Sequence, residues 1–232
     1  MQTVTTAAKS TTRLRAADRE KIGQLELFAT EQGAYRARAF SARLVVFDER
    51  VRLKCQIPLC PHYGRSLTCP PNVPPFEEFV KAVQRYRTAL LVQTRSALNG
   101  DIAACDREEV LKYFAFLGAA HKDKGGEKTG DEKDLDAMKI AAIRLHKLVN
   151  EVERKAMSMG FHYAMGLIGG VCMLCHECAG AGSGKPCRHP YEARPSMEGV
   201  GIDVIRTAAK AGLSFELPPK QEIVWSGLIL ID

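Results

Sequence analysis

The sequence has no uninterrupted apolar run of eighteen residues, only one tryptophan, and no long block of like charge. Without such an apolar run, no helix is predicted to span a bilayer. The first residues, MQTVTTAAKSTTRLRAADREK, lack the apolar segment of a secretory signal, so we expect a cytoplasmic protein. The net charge of +6 is spread along 232 residues, so neither a nucleic-acid nor a membrane partner is expected.

Cysteine is the unusual part of the composition. Eight cysteines are too few for a disulfide-dense secreted scaffold in a chain of this length. In a reducing compartment, clustered thiols bind metal more often than they pair with each other. Seven of the eight fall into two groups, whereas Cys105 stands alone and is assigned to the core.

Apolar periodicity predicts both helices and strands along the chain. The predicted helices cover residues 16–31, 75–86, 107–120, 135–159 and 196–211, and the predicted strands cover 42–53, 88–94, 161–168 and 223–231. We expect a flexible N-terminal arm over 1–20 and a single domain over 21–232, with an exposed loop at 121–134. The predicted fold is α/β, a mixed sheet with flanking helices and cysteine-rich metal-binding loops at one edge.

The second cysteine group is Cys172-x2-Cys175-x2-Cys178, followed after eight residues by Cys187. Three cysteines at this overlapping spacing are typical of iron–sulfur ligation, in which a fourth cysteine comes from farther along the chain. The spacing favours a [4Fe–4S] cluster. A four-cysteine zinc site is the alternative, and free or redox-active thiols are a third interpretation.

The first group is Cys55-x4-Cys60-x8-Cys69, in a stretch with six prolines. Three thiolates leave one coordination position for His62, a cysteine of the other group, water or a substrate, and an open iron there could bind a small anion as a Lewis acid. Cys69-Pro70 also matches the Cys-Pro ending of ferredoxin motifs, so Cys69 rather than Cys187 could complete the 172–178 cluster. One or two clusters are therefore expected.

Longer motifs surround these cysteines. They are Tyr63-Gly64-Arg65, Cys69-Pro70-Pro71-Asn72, Gly169-Gly170-x-Cys172, Pro186-Cys187-Arg188-x-Pro190, Arg194-Pro195-Ser196-Met197-Glu198 and Gly201-Ile202-Asp203-Val204. From about residue 40 to the C-terminus, this ordered pattern resembles the DUF2284 family of predicted metal-binding proteins. The resemblance implies a cysteine-rich protein that binds a metal or an iron–sulfur cluster through the seven cysteines, and it implies no defined reaction.

Charged residues follow the last cysteine closely. Arg188 and Arg194 either face a small anionic ligand beside the cluster or offset the charge of its thiolates and hydrogen-bond its loop. We interpret His62, His176 and His189 as neighbours of the ligands rather than as ligands.

The sequence as a whole predicts a cytoplasmic iron–sulfur protein that transfers electrons or assists a partner oxidoreductase. The alternative is a zinc-stabilised structural or binding module with no redox role.

Overall fold

The computed structural model describes residues 15–97, 130–175, 177–180, 182–217, 219 and 222–232. Its helices are α1 (Ala16–Glu31), α2 (Glu49–Gln56), α3 (Phe76–Val83), α4 (Gly130–Ser158) and α5 (Val204–Lys210). Its strands are β1 (Arg36–Ser41), β2 (Thr88–Ala97), β3 (Met165–Ile168) and β4 (Glu222–Ile231). The predicted N-terminal arm up to residue 14, the helix over 107–120, Cys105 and His176 lie outside the described residues.

The four described strands form one sheet in the order β1-β2-β4-β3. Its central strands are apolar on both faces, and successive side chains of a strand point to opposite sides. Leu90 and Val92 of β2 therefore join the core under α1 and α4, whereas Ala89 and Leu91 join the core on the opposite face. The predicted α/β class is confirmed. The sheet differs from the predicted mixed one, because every pairing between these strands is antiparallel.

Helix α4 packs on the sheet through the apolar stripe that the sequence indicates. It starts five residues before the predicted 135, so residues 130–134 are helical rather than part of an exposed loop. It ends before Gly160, whose φ of +98° is a conformation that glycine adopts readily. The turn that follows occupies the start of the predicted 161–168 strand, leaving β3 with four residues. No helix in the described residues combines the length and apolar character needed to cross a membrane.

The predicted strand over 42–53 is wrong. A short 3-10 helix, Ala42–Leu44, begins this segment and α2 ends it. Asp48 is the reason for the second helix, because its carboxylate accepts a hydrogen bond of 3.0 Å from the backbone N–H two residues on and so caps the first turn. Cys55 consequently lies in the last turn of a helix and does not follow a strand.

The predicted helix over 196–211 is shorter than expected. Gly201 has a φ of +89°, which no helix interior contains, so residues 196–202 form turns instead. The N-cap of α5 is Asp203, whose carboxylate accepts a 2.9 Å hydrogen bond from the N–H of Arg206. Ser196 begins a separate turn, in which its hydroxyl accepts from the N–H of Gly199 at 3.2 Å.

Candidate metal centre

The first cysteine group lies on one continuous segment, from the end of α2 into the proline-rich loop. The N–H of Cys60 donates to the carbonyl of Cys55 at 3.0 Å, and the N–H of Cys69 donates to the carbonyl of Ser66 at 3.3 Å. The loop is closed by a 2.9 Å bond from the N–H of Gly64 to the carbonyl of Pro70. These bonds fold the loop back on itself, as expected for a proline-braced segment.

Burial dominates the electrostatics of this group. It raises the pKa of Cys69 to about 12, and a hydrogen bond with the Ser66 side chain opposes the shift. The charges of Cys55, Cys60 and Glu198 raise the pKa of Cys69 further. Burial also raises the pKa of Cys55, reinforced by Cys60 and Glu198. The three thiols of the first group therefore share one electrostatic environment, which also contains a carboxylate.

The second group begins as the chain leaves β3. Burial raises the pKa of Cys172 to about 11, the Leu174 N–H opposes the shift by hydrogen bonding to the sulfur, and the charges of Cys187, Cys175 and Cys178 reinforce it. Cys187, although separated along the chain, thus lies in the same electrostatic environment as the 172–178 run.

Hydrogen bonds hold the segment after Cys187 against the 172–178 loop. The N–H of His189 donates to the Cys187 sulfur at 3.3 Å, repeating the arrangement of Leu174 at Cys172. The guanidinium of Arg188 donates to the carbonyl of Glu177 at 2.6 Å. Arg188 therefore bonds the loop itself, in agreement with one of the two interpretations of this arginine.

Arg194 is also engaged within the protein. Its Nε donates to Glu153 at 2.7 Å, and its Nη1 donates to the carbonyls of Tyr191 and Ala193. A cavity of about 1190 Å³ borders this pair, and Arg144, Lys147 and Leu174 are among its lining residues. An anionic ligand beside Arg188 and Arg194 stays a prediction.

Of the three histidines near the cysteines in the sequence, His62 and His189 lie within the described residues, and their interpretation as neighbours of the ligands stays a prediction. Burial, followed by the charge of Arg65, lowers the pKa of His62. The ring of His189 lies 3.1 Å from Glu192, while its backbone bonds Cys187. Among the described residues, neither imidazole ring forms a hydrogen bond with a cysteine sulfur.

A turn over residues 196–201 joins the two cysteine loops. The N–H of Ser196 donates to the carbonyl of Thr68 at 3.0 Å, one residue before Cys69. The Glu198 carboxylate accepts bonds of 3.0 and 3.2 Å from the N–H of Gly170, two residues before Cys172. One turn therefore contacts the chain immediately before a cysteine in each group.

The described residues contain no group of three or more His, Cys, Asp or Glu side chains spaced to hold a metal ion. The seven described cysteines are all free thiols. Their assignment as ligands, and the placement of both loops at one edge of the sheet, stay predictions.

A family model described as a predicted metal-binding protein, DUF2284, matches residues 38–231. The chain belongs to the DUF2284 family. No curated protein and no solved structure matches the chain. The match confirms the resemblance noted from the cysteine motifs and supports metal binding by this DUF2284 protein, without identifying the metal.

The part of this DUF2284 site that the cysteine motifs alone miss is its hydrogen-bonding surroundings. Ser66 and Thr68 are ordinary loop residues by pattern. The Ser66 side chain nevertheless bonds the Cys69 sulfur, and the Thr68 carbonyl accepts from the N–H of Ser196. Spacing gave no signal for either, because both contacts depend on how the loop folds.

Proposed function

We propose that this protein binds iron–sulfur clusters, with Cys172, Cys175, Cys178 and Cys187 holding a [4Fe–4S] cluster and Cys55, Cys60 and Cys69 holding a second centre. The observation that carries the proposal is the set of donors directed at sulfur. Backbone N–H groups bond Cys172 and Cys187, and the Ser66 side chain bonds Cys69. Hydrogen bonds to cluster sulfurs are among the main means by which proteins hold and tune such centres.

An unpaired donor beside the first group fits the same chemistry. The Nε of Arg52 is buried and has no hydrogen-bond partner among the described residues. Burial raises the pKa of Cys55, and the charge of this arginine opposes that rise. A buried donor without an acceptor costs about 1–3 kcal/mol, and thiolate or inorganic sulfide at this position would supply the acceptor.

The interpretation as redox-active free thiols is less well supported. Reactive cysteines have a depressed pKa and a positive environment. Burial instead raises the pKa of Cys55, Cys69 and Cys172, so these thiols are protonated at neutral pH without a metal. Metal coordination removes the proton outright and reverses this preference.

The proposed role is electron transfer with a partner oxidoreductase. When bound, a [4Fe–4S] cluster supplies a site that gains and loses one electron. The chain places Glu177, Arg188 and residues 182–186 at the surface beside the second group. We propose this exposed side as the approach for the redox partner, and the cytoplasm as the compartment because all seven described cysteines are free.

The test is anaerobic purification followed by analysis of iron, acid-labile sulfide and zinc. We expect a brown protein with broad visible absorption and about four irons for each [4Fe–4S] cluster. C175S is expected to remove one cluster and C60S the other, as counted by electron paramagnetic resonance after reduction, whereas C105S outside both groups leaves the spectra unchanged.

The outcomes separate the remaining alternatives. A colourless protein with stoichiometric zinc would contradict the proposal and support the structural zinc module. Identical losses in C175S and C60S would show a single shared site. A folded, metal-free protein whose stability does not respond to chelators would contradict metal binding altogether.

A further inference from the structure

We propose that the turn at the end of α2 is a docking surface for a lipid bilayer that carries negative charge. We call this turn, which consists of Gln56, Ile57, Pro58 and Leu59, the apolar turn. The inference is independent of the proposed function, because it concerns an exposed surface of the protein and requires no bound cofactor.

Hydrogen bonds fix the apolar turn at both of its ends. The N–H of Ile57 donates to the carbonyl of Leu53 at 2.8 Å, and the N–H of Cys60 donates to the carbonyl of Cys55 at 3.0 Å. All four residues of the turn are exposed. The side chains of Ile57 and Leu59 are the most accessible aliphatic ones among the described residues, at 75% and 70% exposure. The turn therefore presents two large aliphatic side chains to solvent on a fixed backbone.

The outward face of α2 continues this surface. Exposed side chains recur there at i, i+3, i+4 and i+7, the spacing of one helix face, and they belong to Arg50, Leu53, Lys54 and Ile57. Arg50 is paired with Asp48 at 2.6 Å. Leu53, at 50% exposure, adds a third aliphatic side chain, and Lys54 places a positive charge beside it.

The exposed aliphatic side chains of this region form a group in the sequence. Three of them fall within residues 53–59, and each is at least half exposed. Other exposed large aliphatic residues of the described chain, among them Leu27, Ile140 and Ile205, are far apart along the sequence. Single exposed apolar residues are normal on a protein surface, whereas a contiguous group marks an interaction site.

Positive charge accompanies the apolar turn. The even spread of charge over the whole sequence predicts no membrane partner, but residues 50–76 contain four cations and no Asp or Glu. Lys54 and Arg65 are exposed, and neither forms an ion pair with a described residue. The nearest carboxylates that precede the turn are at the opposite end of α2, on Asp48 and Glu49. An anionic surface is therefore complementary in charge to the apolar turn.

The residue types of this surface favour a bilayer over a protein partner. Protein interfaces are enriched in aromatic residues and depleted in lysine, and leucine is under-represented among the residues that dominate their binding energy. Residues 50–59 contain no aromatic side chain. Aliphatic side chains next to Lys and Arg are typical of interfacial segments, in which the apolar groups enter the acyl boundary and the cations contact anionic headgroups. A second copy of the chain would instead bring like charges together.

Vesicles of phosphatidylglycerol and phosphatidylcholine test the docking surface with the purified full-length protein. At low ionic strength we expect the protein to co-sediment with vesicles rich in phosphatidylglycerol. Binding to pure phosphatidylcholine should be about tenfold weaker or less, because the cations then have no anionic headgroups to contact. Binding to the anionic vesicles should also weaken at high salt, which screens exposed charges.

Substitutions at exposed positions locate the surface. I57S and L59S remove aliphatic area, and each is expected to weaken vesicle binding about tenfold. K54Q removes one cation and is expected to weaken binding about fivefold. L27S is the matched control, because Leu27 is 61% exposed but belongs to α1, so its loss leaves binding unchanged.

A tryptophan placed in the turn reports its contact with the bilayer. The single native tryptophan, Trp225, is only 8% exposed. Lipids that carry a nitroxide on the acyl chain are expected to quench the added fluorescence of I57W and to leave the wild-type fluorescence unchanged.

Several results would overturn the proposal. They are the absence of binding to anionic vesicles at low salt, equal binding by I57S, L59S and the wild-type protein, and no quenching in I57W. A dimer in solution that dissociates in I57S would also overturn it, since a second copy would then cover the turn. None of these readouts depends on iron content, so metal analysis detects a failure of the proposed function separately.

Discussion

Glu153 of α4 holds two other parts of the fold with a single oxygen. Its Oε2 accepts from the N–H of Gly166 in β3 at 2.8 Å and from Nε of Arg194 at 2.7 Å. The Glu153 and Arg194 side chains are only 15% and 14% exposed. This pair therefore links the main helix and an edge strand to the segment that follows Cys187.

We expect E153Q to destabilise the protein by about 2–3 kcal/mol. Removing one member of a fully buried ion pair costs about 3–5 kcal/mol. The residual exposure reduces this cost, and so do the two carbonyls that Arg194 keeps as acceptors. For a chain of this size, the expected decrease in Tm is roughly 4–12 °C. Thermal and urea unfolding of the purified protein measure both changes.

Helix α4 also supplies the matched control, E151Q. Glu151 pairs with Arg154, but these side chains are 41% and 74% exposed. Pairs of this kind contribute about 0.5 kcal/mol or less. Equal destabilisation by E153Q and E151Q, or a change below about 0.5 kcal/mol in E153Q, would refute the argument from burial.

Three further predictions concern the sheet, a helix start and a buried histidine. In G227A the new Cβ would lie 2.5 Å from Cγ2 of Val149, so we expect the free energy of unfolding in urea to fall by about 1–3 kcal/mol. V149A should partly relieve this loss, and strictly additive effects of the two substitutions would contradict the reasoning. D203A removes the N-cap bond of α5, so we expect the free energy of unfolding to fall by about 1 kcal/mol. D203N should retain most of the capping energy, and equal losses of stability in D203A and D203N would contradict the role of the cap. Burial lowers the pKa of His146, so the unfolded chain takes up a proton near pH ~6.5 that the native state resists. The free energy of unfolding should therefore fall from about pH 7 toward about pH 5, and less steeply in H146Q than in the wild-type protein. The same slope against pH in both proteins, measured by urea unfolding, would contradict this prediction.

The elements predicted correctly are those whose own residues determine them. Helix α1 has its predicted bounds, and the apolar runs of β2 and β4 lie in the middle of the sheet as their composition requires. The run around Val46 and Phe47 has the same β-branched and aromatic character, yet it forms no strand. Val46 donates to the Thr207 hydroxyl and Phe47 makes only an isolated bridge to Ile202. Pattern alone does not reveal whether a partner strand is present.

In the candidate site, too, some features follow from local sequence pattern and others depend on tertiary contacts. Spacing separated the cysteines into two groups, and the thiol charges act within those same groups in the structure. The position of Glu198 could not be derived by spacing, because it depends on Thr68 and Gly170, which are distant in sequence, meeting one turn. Tertiary contacts of this kind leave no local periodicity.

Strand β4 lies between β2 and β3 although it is synthesised after both. Its pairing joins Thr88 to Ile231, positions far apart along the chain, and such distant contacts form slowly. During translation both sets of thiols leave the ribosome before the strand that completes the sheet. A newly made chain therefore exposes both sets of thiols before its sheet is complete, and exposed thiols are open to oxidation.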